Sequence, residues 1–468
     1  MKQLKDIAHA YFIGVGGIGM SALARYLNQQ NVKVYGYDKT PSAITDALIA
    51  EGIQITFQDE IDQILTVFSK PSEAVLVVYT PAIPLDSVIK KYLEQQGHAL
   101  IKRAALLGLI SANHFTIAVA GTHGKTTTSS LIAHIIYNCG YQMIGILGGV
   151  STSFNSNYIA KSSGKTIDGK VILVTEADEF DRSFLHLHPN IAVITSTDAD
   201  HLDIYGSNEA IEQSFQAFAN QMPANGSLIV NENAKISNPN LKDFIIYGSN
   251  STANSYFSDV KIAEGAQYFD WHFKEESIKN IEAGLPGLHN IENAVAAASA
   301  CLQAGLGFEE IKKSIGSFKG VKRRFEYAIK NDEFIVIDDY AHHPSELDAL
   351  IKAVRTLYPK QDITLLFQPH LYSRTRDFAA AFSKSLSAVE TLRILPIYPA
   401  RELPIEGVSS EMLLESVTCV DSAIIEKEAV LDFVKATMPK LLIIAGAGDI
   451  DRLVSPIKTI YDEQPATN

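Results

Sequence analysis

Gly121-Thr122-His123-Gly124-Lys125-Thr126-Thr127 places two glycines, one lysine and three hydroxyls within seven residues. The apolar run Phe115–Ala120 precedes it, and Ser129–Ile136 reads as a helix. Strand, glycine turn, lysine, hydroxyls and helix form an arrangement suited to a nucleotide triphosphate. Turn amides point at phosphate oxygens, and the helix N-terminus adds a favourable field. Lys125 would reach the outer phosphates and the Thr126 hydroxyl would serve Mg²⁺. Val119 stands where the usual pattern has its first glycine, so a tight turn without a ligand is the competing reading.

Other clusters carry further chemistry. Gly14-x-Gly16-x-x-Gly19, with Gly17 and Ile18 inside it, lies between a strand and a helix, and Asp38 ends the next strand. That pattern suits NAD with Asp38 near a ribose, but a glycine turn at a helix N-terminus accepts any pyrophosphate, including that of a UDP-sugar. Glu176-Ala177-Asp178-Glu179-Phe180-Asp181 and Asp198-Ala199-Asp200-His201 each follow an apolar strand. Glu176 and His201 are therefore candidate Mg²⁺ groups beside the phosphate turn. Asp338-Asp339-Tyr340-Ala341-His342-His343-Pro344 and Gln368-Pro369-His370-Leu371-Tyr372-Ser373-Arg374-Thr375-Arg376 also end strands, where open α/β sheets bind ligands. Arg374 and Arg376 suit a carboxylate or phosphate. The adjacent pair His342-His343 is weak as a zinc motif.

The elements that must position these groups alternate between strand and helix, so the fold class is α/β. Three blocks are expected: 1–111, 112–320 and 321–468. The first carries strands at Ala10–Ile13, Val32–Tyr37 and Ala74–Tyr79. The second adds Val171–Thr175 and Ile191–Thr195, a small β subregion from Asn225 to Leu285, and an alanine-rich helix at Asn290–Ala304. The third has strands at Phe334–Ile337, Ile363–Phe367, Leu392–Leu395 and Leu441–Ala445. The chain has 468 residues, 46% hydrophobic and 20% charged, as expected for a globular protein of several domains. A net charge of −13 argues against general nucleic-acid or anionic-membrane binding. Cys139, Cys301 and Cys419 lie far apart, which suits a reducing compartment and buried thiols. The N-terminus lacks an apolar signal core, and the sequence has no membrane-length apolar run, so a cytoplasmic location is expected.

In order, the motifs GVGGIGMSA (Gly14–Ala22), GTHGKTTT (Gly121–Thr128), EADEFDRSF (Glu176–Phe184), DHLDIY (Asp200–Tyr205), GLHNIEN (Gly287–Asn293), RRFE (Arg323–Glu326), DDYAHHPSE (Asp338–Glu346), FQPHLYSRT (Phe367–Thr375), YPARE (Tyr398–Glu402) and GAGDI (Gly446–Ile450) resemble the Mur ligase family, specifically its alanine-adding branch. The resemblance covers nearly the whole chain. It implies a Rossmann-like N-terminal domain, a central P-loop ATPase-like domain and a Rossmann-like C-terminal domain. It implies that Gly14, Gly16, Gly17, Ile18, Gly19 and Asp38 serve the UDP part of a substrate rather than NAD. Gly121, Thr122, His123, Gly124, Lys125, Thr126 and Thr127 would hold ATP. Thr126, Glu176 and His201 would serve Mg²⁺. Asn293 would read adenine, and Arg324 and Asp339 would contact nucleotide. Tyr340, His342, His370 and Arg374 would meet the muramoyl group and the amino acid. The implied substrates are UDP-N-acetylmuramate and L-alanine, with ATP and Mg²⁺, no nucleic-acid or membrane partner, and a monomer or homodimer in the bacterial cytoplasm. Two departures stand out. Leu371 occupies a position where many relatives carry arginine, and Ser207–Gln221 lacks the lysine that sister ligases carbamylate.

The implied reaction is amide formation through an acyl phosphate. Lys125 would neutralise charge, Arg374 would meet the muramoyl group or the amino acid, and His342 or His370 would be candidates to help the amine lose its proton. The nearest rival is the tripeptide-recycling murein-peptide ligase. Folylpolyglutamate synthase lacks the first glycine-turn domain. A nucleotide-dependent switch or NAD-binding regulator is the alternative outside ligase chemistry.

Overall fold

Apolar runs with both faces covered become parallel strands. β1 (His9–Ile13), β2 (Lys33–Tyr37), β3 (Gln54–Thr56), β4 (Val75–Tyr79) and β5 (Leu100–Lys102) pair in parallel in the order β3-β2-β1-β4-β5. The strand order reverses between β1 and β4, so the loop leaving β1 opens at a switch point. That loop is the turn Gly14–Gly17, which leads into the helix Ile18–Gln29. The structure, a computed structural model, describes residues 4–198, 205, 207–238, 240–263, 266–400 and 402–463.

The second sheet has the order β15-β14-β13-β12-β11-β10-β6-β9-β7-β8. Its strands are β6 (Phe115–Ala120), β7 (Met143–Ser151), β8 (Ser156–Lys161), β9 (Ile172–Glu176), β10 (Ile191–Ile194), β11 (Ser227–Asn231), β12 (Asp243–Gly248), β13 (Ser255–Ala263), β14 (Ala266–Phe273) and β15 (Glu276–Glu282). β6 runs parallel between β9 and β10, which brings the phosphate turn, Glu176 and Thr195 to one sheet edge. The β subregion expected from Asn225 to Leu285 extends this same sheet.

The third sheet runs β16-β17-β21-β18-β19-β20, from β16 (Glu326–Lys330), β17 (Ile335–Asp339), β18 (Thr364–Phe367), β19 (Thr391–Ile394), β20 (Asp421–Ile424) and β21 (Leu441–Ala445). β16 is antiparallel to β17, and the other pairings are parallel. The carboxyl ends of β17, β21 and β18 are therefore neighbours.

Two compact units divide the chain. One comprises Met1–Val260, Phe269–Glu282 and Glu292–Phe318, and the other comprises Lys261–Tyr268, Ala283–Ile291 and Lys319–Asn468. The first unit holds both glycine turns. One apolar core joins Phe12, Leu23 and Val78 beneath the first sheet to Ile144, Ile146 and Leu173 of the second. Polar contacts reinforce it. Asn157 Nδ2 donates to Ile18 O at 2.5 Å and to Ser21 Oγ at 2.9 Å, while Arg25 Nη1 donates to Asn157 Oδ1 at 2.5 Å.

Candidate active site

The phosphate turn owes its shape to two glycines. Gly121 has φ +134° and Gly124 has φ +82°, conformations that side chains disfavour. A Cβ on Gly121 would lie 2.1 Å from Thr195 Oγ1, and one on Gly124 would lie 2.6 Å from Asn293 Oδ1. Gly124 caps the helix Lys125–Asn138, which is longer than the Ser129–Ile136 core expected from sequence. Neighbouring strand ends hold the turn. Thr122 N donates to Ser196 O at 3.2 Å, Thr122 Oγ1 to Asp198 O at 2.8 Å, and His123 N to Ser196 Oγ at 2.9 Å. Thr126 is partly exposed at the first helical turn and Thr127 is buried. Asn293 sits against the turn, accepting from Thr128 Oγ1 at 3.2 Å.

Lys125 Nζ donates to Gly121 O at 2.5 Å, Thr122 O at 3.3 Å and Glu179 Oε1 at 2.9 Å. Burial pulls the ammonium's pKa down, but Glu179, Asp178 and Glu176 outweigh it and hold the lysine above its ordinary range. Glu176 Oε1 accepts from Gly148 N at 3.0 Å and Ser129 Oγ at 3.5 Å. Thr126 and Glu176 offer hard oxygen donors, which fits Mg²⁺, an ion that keeps waters and uses substrate phosphates rather than a full protein cage. Among the described residues no group of three or more His, Cys, Asp or Glu is placed to hold a metal. His201, expected as a metal group, lies outside the described residues.

A cavity of about 170 Å³ links the two glycine motifs within this unit, lined by Ile18, Gly19, Arg103, Lys125, Glu176 and Asp178 among others. Arg103 Nη2 donates to Asp178 Oδ2 at 2.8 Å. Burial would raise Asp178, but Arg103 and Lys125 hold it below the usual carboxylate range. In the first turn Gly14 has φ +87°, and Gly17 precedes the helix as its cap. Gly16 N donates to Asp38 Oδ2 at 2.8 Å, and Thr40 N to Asp38 Oδ1 at 3.2 Å. Asp38 thus braces the turn.

The second unit gathers its own cluster at the ends of β17 and β18. Asp339 is buried and accepts from Phe325 N and Ala341 N, each at 2.7 Å. Burial pushes its carboxyl up to about 6, against the pull of Arg324. Arg323 and Arg324 lie over the Tyr340 ring, at 5.0 and 5.2 Å from its centre. His342 Nδ1 lies 2.8 Å from Tyr340 O, and since a carbonyl only accepts, that nitrogen carries the proton and Nε2 the lone pair. Burial lowers the His342 pKa, Glu346 opposes this, and Arg374 lowers it further. The His342 and His370 rings are 5.9 Å apart, and His370 stacks on Tyr398 at 5.8 Å. Leu371, at φ +70°, precedes the helix Tyr372–Asp377 that carries Arg374.

Comparison with known proteins decides the family. Residues 9–115 match the Mur ligase family catalytic domain, 119–301 the Mur ligase middle domain and 323–450 the Mur ligase glutamate ligase domain. The chain belongs to the Mur ligase family. It is 45% identical to a UDP-N-acetylmuramate–L-alanine ligase of Flavobacterium psychrophilum, over 99% of this chain and 100% of that one. In fold it is similar to the UDP-N-acetylmuramate–alanine ligase of Thermotoga maritima (TM-score 0.80, 23% identity, 97% and 99% of the two chains). It also resembles a murein peptide ligase of Psychrobacter arcticus (TM-score 0.69, 20% identity, 98% and 100% covered).

Sequence reasoning missed Arg103, Gly148 and Asn157. Gly148 is a glycine because Glu176 fills its side-chain space, with Oε2 2.2 Å from a built Cβ. A glycine pair at Gly148-Gly149 was a visible signal of close approach. Arg103 and Asn157 carry no local signal.

Proposed function

We propose that this Mur ligase joins L-alanine to the lactyl carboxylate of UDP-N-acetylmuramate, using ATP and releasing ADP and phosphate, in peptidoglycan precursor synthesis. The observation that carries this reading is identity of 42–45%, over 96–99% of the chain, to relatives named UDP-N-acetylmuramate–L-alanine ligase. The three-domain division at 1–111, 112–320 and 321–468 is part of the proposal, as are a cytoplasmic location and a monomeric or homodimeric state. Among the described residues no helix is long and apolar enough to cross a membrane.

A carboxylate resists attack because its oxygen is a poor leaving group. Transfer of the γ-phosphoryl group to the lactyl carboxylate gives an acyl phosphate. The neutral amine of alanine then attacks the acyl carbon, and phosphate leaves. Two anions must meet first. Lys125 stays protonated among its carboxylates and supplies charge where they meet. The turn amides from Gly121 to Thr127 position the phosphates, and Asn293, Arg324 and Asp339 add nucleotide contacts. Thr126 and Glu176, with His201, would hold Mg²⁺, which would supply further charge neutralisation. Tyr340 and Arg374 position the carboxylates. His342, kept neutral by burial, offers Nε2 to the proton lost by the amine, and His370 is its alternate. Gly14, Gly16, Gly17, Ile18, Gly19 and Asp38 form or brace the turn for the UDP pyrophosphate.

The test is phosphate release with ATP and Mg²⁺. Release should require both UDP-N-acetylmuramate and L-alanine. Release only with the tripeptide L-alanyl-γ-D-glutamyl-meso-diaminopimelate would assign the chain to the murein-peptide branch, and no release with either would reject ligase activity.

A further inference from the structure

Arg103 begins the helix Arg103–Ser111, and Asp178 engages its Nη2. Its other terminal nitrogen is turned toward Gly19, where a built Cβ would lie 2.4 Å from Nη1. Gly19 has no positive φ, so its backbone does not require glycine. The absent side chain makes room for the guanidinium. Gly19 lies in the first turn of the helix Ile18–Gln29, where amides have no intrahelical partner, and its cap Gly17 offers no side-chain acceptor. The guanidinium, Ile18 and Gly19 at the start of that helix, and Lys125 line one cavity. A side chain 25% exposed, fixed by a carboxylate on one nitrogen and turned to the helix start with the other, is preorganised for a charge-assisted hydrogen bond to an anion.

We propose that Arg103 is a substrate-binding residue whose guanidinium pairs with the pyrophosphate of the UDP-sugar over Gly19, while Asp178 holds it in position. This rests on the function proposed above. It gives the third glycine of the motif a definite task, which is to admit an arginine from a separate helix. The pyrophosphate is the chosen partner because Arg103 stands at the glycine-turn end of the cavity, with Lys125 available for the carboxylate.

The test is direct binding of UDP-N-acetylmuramate and, separately, ATP to the full chain. Arg103→Gln should raise Kd for UDP-N-acetylmuramate at least about tenfold and leave Kd for ATP within about threefold, the loss expected for one charge-assisted contact. Arg103→Lys should recover part of the affinity. Asp178→Asn loosens the guanidinium but leaves its charge beside Gly19, so affinity should fall by a clearly smaller factor than with Arg103→Gln. Equal weakening by Arg103→Gln and Asp178→Asn would reduce Arg103 to a structural ion pair and overturn the proposal. The lactyl amide of the substrate retains the pyrophosphate, so Arg103→Gln should weaken it by the same factor. If that factor vanishes with the amide, the partner is the carboxylate and the proposal is wrong. Wild type that fails to bind UDP-N-acetylmuramate would sink the proposed function together with this inference.

Discussion

Asp338→Asn should flatten the pH dependence of stability in the third sheet. Asp338 is the penultimate residue of β17 and is almost fully buried, and its Oδ1 has no hydrogen-bond partner among the described residues. Arg323 Nε lies 4.0 Å away and itself has no hydrogen-bond partner among the described residues. Burial pushes the Asp338 carboxyl from 3.8 up to about 7. Arg323 opposes the rise, whereas Glu326, Asp339 and Asp451 add to it. A carboxyl moved that far corresponds to on the order of 4 kcal/mol between its charged and neutral forms. The folded state binds this proton more tightly than the unfolded state. The stabilisation is therefore fully present below pH ~4, fades as pH rises toward about 7, and is gone above it. Asparagine keeps the shape and never ionises. The two proteins should have similar stability at pH 4.5, and the variant should lead at pH 8 by at least about 1 kcal/mol, with 4 kcal/mol as a ceiling once water penetration is considered. Hydrogen exchange of amides in β17 and β21, corrected for the intrinsic pH dependence of exchange, measures the difference. Asp339 titrates in the same direction, so wild type minus variant is the quantity to follow. Parallel curves across this range would refute the argument that an under-partnered charge is being buried.

Three further outcomes follow from the geometry. Lys125→Ala should reduce phosphate release at least about a hundredfold, because removal of a buried electrostatic stabiliser typically costs about 2.7–4 kcal/mol of barrier; retained turnover would remove the phosphate turn from the reaction. Gly124→Ala forces φ +82° on a side chain and drives its Cβ into Asn293, so it should cost about 1–2 kcal/mol in strain alone and raise KM for ATP, with circular dichroism checking the fold. Asn157→Ala leaves Arg25 and Ser21 short of a buried partner, so it should cost about 1–3 kcal/mol in urea unfolding and raise KM for the UDP-sugar more than for ATP.

Much of the scaffold was legible because β1, β4, β6, β10 and β21 are continuous apolar runs, whose meaning survives without neighbours. β7 was not, since Gly145, Gly148 and Gly149 dilute its strand character. It forms because β8 and β9 cover it on either side. β14 alternates buried and half-buried residues along its length, a period-two signal that turn-rich flanks obscured. In the site, acids such as Glu176 and Asp339 could be found because each closes an apolar strand. Arg103 and Asn157 could not, since their partners lie 75 and 139 residues away and only the folded chain brings them together.

The single core beneath the first and second sheets has a consequence for selectivity. The two proposed anion cradles share one compact unit and one apolar core, so they would act as a fixed gauge. On the proposed assignment, a UDP-sugar seated at the glycine turn would either present its carboxylate at Lys125 or miss it, according to the length of its own covalent framework. An acceptor whose acid arm is one methylene longer or shorter would therefore lose turnover more than binding, because the seat would fill while the reacting atoms fell out of register.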